Sequence, residues 1–206
     1  MKRSAFIAVI GAPNAGKSTL VNALVGAKVS IVTQKVQTTR ARIRGIAVDG
    51  DAQLVFTDTP GIFSPRRRLD RAMVSAAWEG LDGADAIVLV VDAAAELGSP
   101  SKSTADTEMI IGELKKRGRK AVLALNKIDK VARLNLLKLI ADMGAEGVFE
   151  ETFLISAENG DGVKDLKKYL VGRAPTGPWM YPEDQLSDIS DRLMAAEVTL
   201  EKVFKR

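Results

Sequence analysis

The run Gly11-Ala-Pro-Asn-Ala-Gly16-Lys17-Ser18 has the spacing G-x-x-x-x-G-K-[ST], with an apolar strand signal before it and a helix signal after it. Glycines in such a turn let backbone N–H groups approach phosphate oxygens, and the positive end of the helix adds to the attraction. The Lys17 ammonium suits β- and γ-phosphates, and the Ser18 hydroxyl suits Mg²⁺. A Gly-rich turn with a surface lysine could share these letters, so the rest of the chain has to decide. Asp58-Thr-Pro-Gly61 closes another strand signal. A carboxylate there can hold a metal's hydration shell, and the Gly61 amide can bond a γ-phosphate. Alone, the tetrapeptide is equally a capped turn. Asn126-Lys-Ile-Asp129 ends a third apolar strand. The Asp129 carboxylate can accept from guanine's N1–H and exocyclic amine, a donor pair that adenine lacks. Asn126 would bridge to the phosphate loop and the purine, while the Lys127 stem would lie along the ring. Ser156-Ala157-Glu158 follows a further strand signal, with the Ala157 N–H expected to meet the guanine carbonyl oxygen.

Positioning these four segments calls for alternating strands and helices. Val- and Ile-rich runs predict strands at Ala5–Ile10, Arg42–Val48, Gln53–Thr57, Ala86–Val91, Ala121–Leu125 and Phe153–Ile155. Helical spacing predicts helices at Lys17–Val25, Leu69–Glu79, Ser103–Lys116, Val131–Asp142 and Val163–Leu170. Most strands are apolar throughout, as when helices cover both faces of a sheet. Asp49-Gly50 predicts a hairpin and therefore one antiparallel pair. The expected class is α/β: a mostly parallel, doubly wound sheet of six strands with one antiparallel strand and helices on both faces. The pattern stops near Val171. Residues 173–186 read as a Pro-rich linker, and apolar positions from Ile189 to Phe204 predict one more helix, with Ser187 or Asp188 as its cap.

Composition narrows the chemistry. The 206 residues include no Cys and no His, which excludes disulfides, thiolate nucleophiles, imidazole bases and zinc–thiolate sites. Carboxylates, hydroxyls, lysines, backbone amides and a borrowed metal remain. The net charge of +4 is compatible with nucleic acid without indicating it. The apolar runs are too short to span a bilayer, so a cytoplasmic location is expected.

Phosphate, metal, base and base segments, each at a strand's C-terminal end, resemble a small P-loop GTPase over residues 1–172. Asn14, Gln37-Thr38-Thr39-Arg40, Asp58-Thr-Pro-Gly61-Ile62 and Ser156-Ala-Glu-Asn-Gly-Asp-Gly-Val163 are similar to the Era family. Pro175–Asp184 and the last predicted helix resemble that family's passage into its RNA-binding KH domain. The resemblance implies GTP hydrolysis, with Mg²⁺ as cofactor and GTP/GDP as ligand. It also implies partnership with the small ribosomal subunit and 16S rRNA. Gly11, Asn14, Ala15, Gly16, Lys17, Ser18 and Thr19 are the implied phosphate-binding run, joined by Asp58 and Gly61. Asn126, Lys127, Asp129, Ser156, Ala157 and Glu158 are the implied base-binding set. Ser18, Asp58 (through water) and Thr39, with Thr38 as alternative, are the implied Mg²⁺ set, and Asn14 is implied beside K⁺. Lys17, Thr39 and Gly61 form the expected catalytic group. Ile62 cannot hydrogen-bond an attacking water, so slow intrinsic turnover is expected.

The KH domain's GxxG loop has no counterpart here, and residues 173–206 hold five basic against six acidic residues. The expectation is one GTPase domain (1–172), a linker (173–186) and the opening helix of a KH domain (187–206), with RNA recruitment assigned to full-length family members. The basic groups Arg40/Arg42/Arg44 and Arg66–Arg68 flank the Gln37–Arg40 and Asp58–Ile62 segments, which the resemblance implies are nucleotide-responsive switches, and could meet RNA phosphates, or form a solvated face. A monomer, with peripheral contact to the inner face of the bacterial cell membrane, completes the expectation. Alternatives are a tRNA-modification or large-subunit assembly GTPase, and a nucleotide-binding scaffold without useful turnover.

Overall fold

The computed structural model describes residues 1–30, 43–59, 61–63, 74–75, 77–78, 81, 83–99, 101–188, 199 and 202. Its strands are β1 (Arg3–Ile10), β2 (Ile43–Asp49), β3 (Ala52–Asp58), β4 (Ala86–Asp92), β5 (Ala121–Asn126) and β6 (Phe149–Leu154). Its helices are α1 (Lys17–Val25), α2 (Ala93–Glu96), α3 (Lys102–Lys116), α4 (Arg133–Ala145) and α5 (Val163–Arg173), with a 3₁₀ turn at Ile128–Lys130. The sheet runs β2-β3-β1-β4-β5-β6, parallel except for the β2–β3 hairpin. The predicted hairpin forms, with Asp49 paired to Ala52 and the turn made by Gly50-Asp51.

Strand alternation divides the core into two layers. Ile7, Val9, Val88, Val90 and Val122 pack with Leu20 and Leu24 of α1 and with Leu166 and Leu170 of α5. Ala8, Ile10, Leu89, Val91 and Leu123 pack on the other face with Ile110 and Leu114 of α3 and with Leu136 and Leu139 of α4. Burial on both faces is why these strands lack a polar alternation. β1 has β3 on one side and β4 on the other, making its end a topological switch point, where open α/β sheets bind ligands.

Most element bounds lie within three residues of expectation, and three differences have a clear physical reason. The last strand begins at Phe149 rather than Phe153. It lies at the sheet's edge with Glu150 and Glu151 exposed, so its first half carries no apolar signal. The fourth predicted helix starts at Arg133, because Ile128–Lys130 forms a separate 3₁₀ turn. The four-residue α2 went unanticipated; the Asp92 carboxylate caps it by accepting from Ala94 N and Ala95 N, each at 3.1 Å.

The segment after α5 is bound to the sheet rather than hanging free. Ser4 N donates to Pro175 O at 3.1 Å, and Gly177 N donates to Lys2 O at 3.1 Å. Gln53, fully buried in β3, donates through Nε2 to Tyr181 O at 2.9 Å. Its Oε1 accepts from Met180 N at 2.9 Å and Tyr181 N at 3.0 Å. Ser187 and Asp188 lie along the outer edge of β2, where Asp188 Oδ1 accepts from Arg44 N at 2.9 Å; residues 189–191, which their expected capping would involve, lie outside the described residues. Of the last predicted helix only residues 199 and 202 are described, both helical; of the predicted helix 69–79, residues 74, 75, 77 and 78 are, and these are helical too. Thr38, Thr39 and Arg66–Arg68 lie outside the described residues.

Candidate functional site

Strand ends place the predicted site residues along one rim of the sheet. The loop after β1 leads through Asn14, which is exposed with φ 62°, and through Gly16 at φ 100°. Asparagine tolerates the left-handed region better than most residues, so the backbone alone gives Asn14 a reason to be there. Gly16 is required twice over: by its φ, and because a Cβ there would collide with Asn126 Nδ2. Lys17 is buried, with Nζ donating to Gly11 O at 3.1 Å and Ala12 O at 2.9 Å. Burial lowers its pKa to about 8, with the Asp58 charge opposing that shift. A polyphosphate seated in the loop would supply the negative charge that this desolvated ammonium calls for. Thr19 follows, half-buried in the first turn of α1.

Asp58 ends β3 with no exposure, and its Oδ2 accepts from Ser18 Oγ at 2.7 Å and from Ser30 Oγ at 2.6 Å. The two residues expected to share a magnesium are therefore already in contact. Their donors are hard oxygens and include one carboxylate, a set that fits Mg²⁺ together with phosphate oxygens and water. No cluster of three or more acidic, His or Cys ligands exists among the described residues, so a site built wholly from protein is not offered there. Gly61 lies against the phosphate loop: a Cβ would stand 3.0 Å from Pro13 Cα. Ile62 N donates to Gly11 O at 3.1 Å, tying the two loops together. The Ile62 side chain is fully buried in the core, consistent with its inability to orient a water.

Asn126 closes the base side. It is 2% exposed; its Nδ2 donates to Ala15 O and its Oδ1 accepts from Ala157 N, both at 2.9 Å. Asn126 thus bridges to the phosphate loop as the sequence predicts, and it also joins the Ser156–Glu158 loop. Its Nδ2 keeps a second N–H for a purine. The Ala157 N–H, expected to meet the guanine carbonyl oxygen, donates to Asn126 Oδ1 here. Lys127 takes φ 64° and its Nζ donates to Asn14 O at 2.8 Å, crossing back to the phosphate loop. Asp129 is exposed on the 3₁₀ turn, where its carboxylate has no partner among the described residues. Ser156 is buried, its Oγ accepting from Asn159 N at 3.4 Å, and Glu158 is exposed.

Residues 6–127 match the family model described as 50S ribosome-binding GTPase. The chain is 57% identical to GTPase Era of Caulobacter vibrioides over 212 residues, covering 99% of this chain and 67% of that protein. The chain belongs to the Era family of GTPases. It is also 57% identical to the Agrobacterium fabrum Era, covering 99% of this chain and 62% of the relative. A crystal structure of Era in complex with MgGDPNP and nucleotides 1506–1542 of 16S ribosomal RNA superposes with TM-score 0.87 at 36% identity, covering 98% of this chain and 67% of that one. An Aquifex aeolicus Era variant bound to GDP and AlF₄⁻ gives TM-score 0.86 at 36% identity, with 97% and 66% covered. The chain spans about two thirds of the length of these Era proteins.

Within this Era-family fold, several residues that bear on the site carried no sequence signal. Asn22 of α1 accepts from Val29 N and Ser30 N at 2.9 Å each and donates to Ser30 O at 2.8 Å. That clamp holds Ser30, whose hydroxyl in turn aims the Asp58 carboxylate. The bonds run from side chain to backbone between residues seven and eight apart and then to β3, so no periodicity or short motif announces them. Asp92 is another such residue: it forms an ion pair with Lys127.

Proposed function

We propose that this chain is a Mg²⁺-dependent GTP-binding and GTP-hydrolysing switch that works on the small ribosomal subunit through 16S rRNA. The observation that carries the nucleotide part is the junction at Asn126, which locks the phosphate loop, the base loop and the Ser156–Glu158 loop into one rim beside the exposed carboxylate of Asp129. Lys17 would neutralise β- and γ-phosphate charge, and the Gly61 amide, held near Pro13, would report the γ-phosphate. Ser18 and Asp58 would hold the magnesium with Thr39; when bound, that ion supplies further neutralisation of phosphate charge. Asn14, exposed on the loop, is the candidate for K⁺ on family resemblance. With Ile62 buried, water ordering falls to backbone groups, a cation or a partner, and intrinsic turnover is slow.

The ribosomal part rests on the relatives. The matched family model is named for the 50S subunit, which keeps a large-subunit role in view. The small subunit is preferred because the Era relatives match over 99% of this chain and one solved Era carries a 16S rRNA segment. No helix among the described residues is long and apolar enough to cross a membrane, so any membrane contact is proposed as peripheral. We assign the switch to the cytoplasm as a monomer.

The decisive experiment is nucleotide preference in Asp129→Asn. An amide cannot accept both guanine donors, so affinity should move from GTP toward xanthosine triphosphate. Unchanged GTP affinity would remove the base assignment. Phosphate release measured in KCl against NaCl tests Asn14, and turnover with and without small ribosomal subunits tests the partner.

A further inference from the structure

We propose that Asp92 is a positioning residue for guanine recognition: it fixes the Lys127 side chain so that its stem forms a flat floor for the purine. The proposal rests on the base-site reading above and adds a residue that none of the nucleotide motifs contains. Parallel pairing of β4 with β5 puts Asp92 in register with Asn126, so its carboxylate stands beside the first residue of the base loop. Lys127 comes next, in a left-handed backbone conformation.

The Lys127 ammonium is held at two points: Asn14 O on the phosphate loop at 2.8 Å, and Asp92 Oδ2. A lysine on a loop otherwise samples many rotamers, and fixing its four-carbon stem at the moment of binding would cost affinity. Asp92 removes that cost beforehand. Its own freedom is small, because Oδ1 accepts from Ala94 N and Ala95 N at 3.1 Å each. The side chains are 14% exposed for Asp92 and 28% for Lys127, so water screens this pair less than an ordinary surface bridge. Asn126 is committed elsewhere, bridging the phosphate loop and the Ser156–Glu158 loop through Ala15 O and Ala157 N.

Asp92→Asn separates positioning from plain support. Asparagine keeps an oxygen for Ala94 and Ala95 and is as good a helix cap, yet it has no charge for Lys127. Fluorescent-GDP affinity and melting temperature would be measured for wild type, D92N, D92A, K127M and the D92N/K127M double variant. D92N should weaken GDP binding about tenfold, the scale of one charge-assisted hydrogen bond, while melting close to wild type. In the K127M background D92N should add less than about twofold, because the partner is gone. D92A should also lower the melting temperature, through the lost cap. Wild-type affinity in D92N, or a full tenfold loss that persists in K127M, would overturn the proposal. If K127M weakens binding and D92N does not, Asp92 alone loses its role. If K127M itself binds GDP like wild type, the base-site role of Lys127 fails and the Asp92 role falls with it.

Discussion

Asn126→Ala should be the most informative single change in this protein. The side chain is 2% exposed and satisfies two buried backbone groups, Ala15 O and Ala157 N, at 2.9 Å each. Removing it leaves a carbonyl and an amide without partners, at about 1–3 kcal/mol apiece, or roughly 2–6 kcal/mol together. Water entering the vacated space should hold the sum to the lower half, about 2–4 kcal/mol. For a chain of this length that corresponds to a melting temperature lower by about 5–15 °C, with the domain still folded. Nucleotide affinity should fall as well, by roughly 10–100-fold, because the three loops must be brought together at the expense of binding energy. Asn126→Asp sharpens the case. A carboxylate still accepts from Ala157 N but faces Ala15 O with no donor, so it should be at least as damaging as alanine. Thermal melting followed by circular dichroism, together with fluorescent-GDP titration, reads both effects. An N126A protein melting within a degree of wild type and binding GDP normally would refute the reasoning.

Gln53→Ala should release the strap that follows α5. Three hydrogen bonds to residues 180 and 181 are lost, about 3 kcal/mol in total, so amide exchange there should quicken about 100-fold; unchanged protection would contradict it. Glu96→Gln should stabilise the protein near neutral pH. Burial of the Glu96 carboxyl raises its pKa, the charges of Glu108 and Asp92 add to that, and a Thr107 hydrogen bond opposes it. A carboxyl held more tightly protonated in the fold favours folding below its unfolded pKa, and that contribution is lost as pH rises through the folded value. Glutamine mimics the protonated form, so the gain in melting temperature at pH 7 should shrink toward pH 4. A gain that stays constant with pH would exclude this cause.

Much of the fold was legible because its strands are buried on both faces and its helices are amphipathic, two periods that survive in the one-dimensional sequence. Lys17–Val25 is predicted and observed with the same bounds. Edge positions were harder. β6 exposes Glu150 and Glu151 and so reads as loop over half its length. The Pro-rich stretch after α5 has linker composition, yet Gln53, Ser4 and Ile46 bind its backbone. Composition reports the lack of local structure there, and says nothing of partners supplied by a distant strand.

The sequence by itself determined the types and order of the chemistry. Glycines, Lys17, Ser18, Asp58 and Asp129 stand at fixed spacings because phosphate, metal and base each demand particular donors and acceptors. With neither Cys nor His in the chain, positioning and electrostatics are left to carry any reaction. Only the tertiary structure decided how those groups are held. Ser30 aims Asp58, Asn126 spends both ends of its amide on two loops, and Asp92 grips Lys127 from the neighbouring strand. Each of these contacts joins residues 28 to 111 positions apart, set by strand register and packing. A short motif records what a loop must touch, whereas the orientation of that loop depends on neighbours that come into reach only when the sheet closes around it.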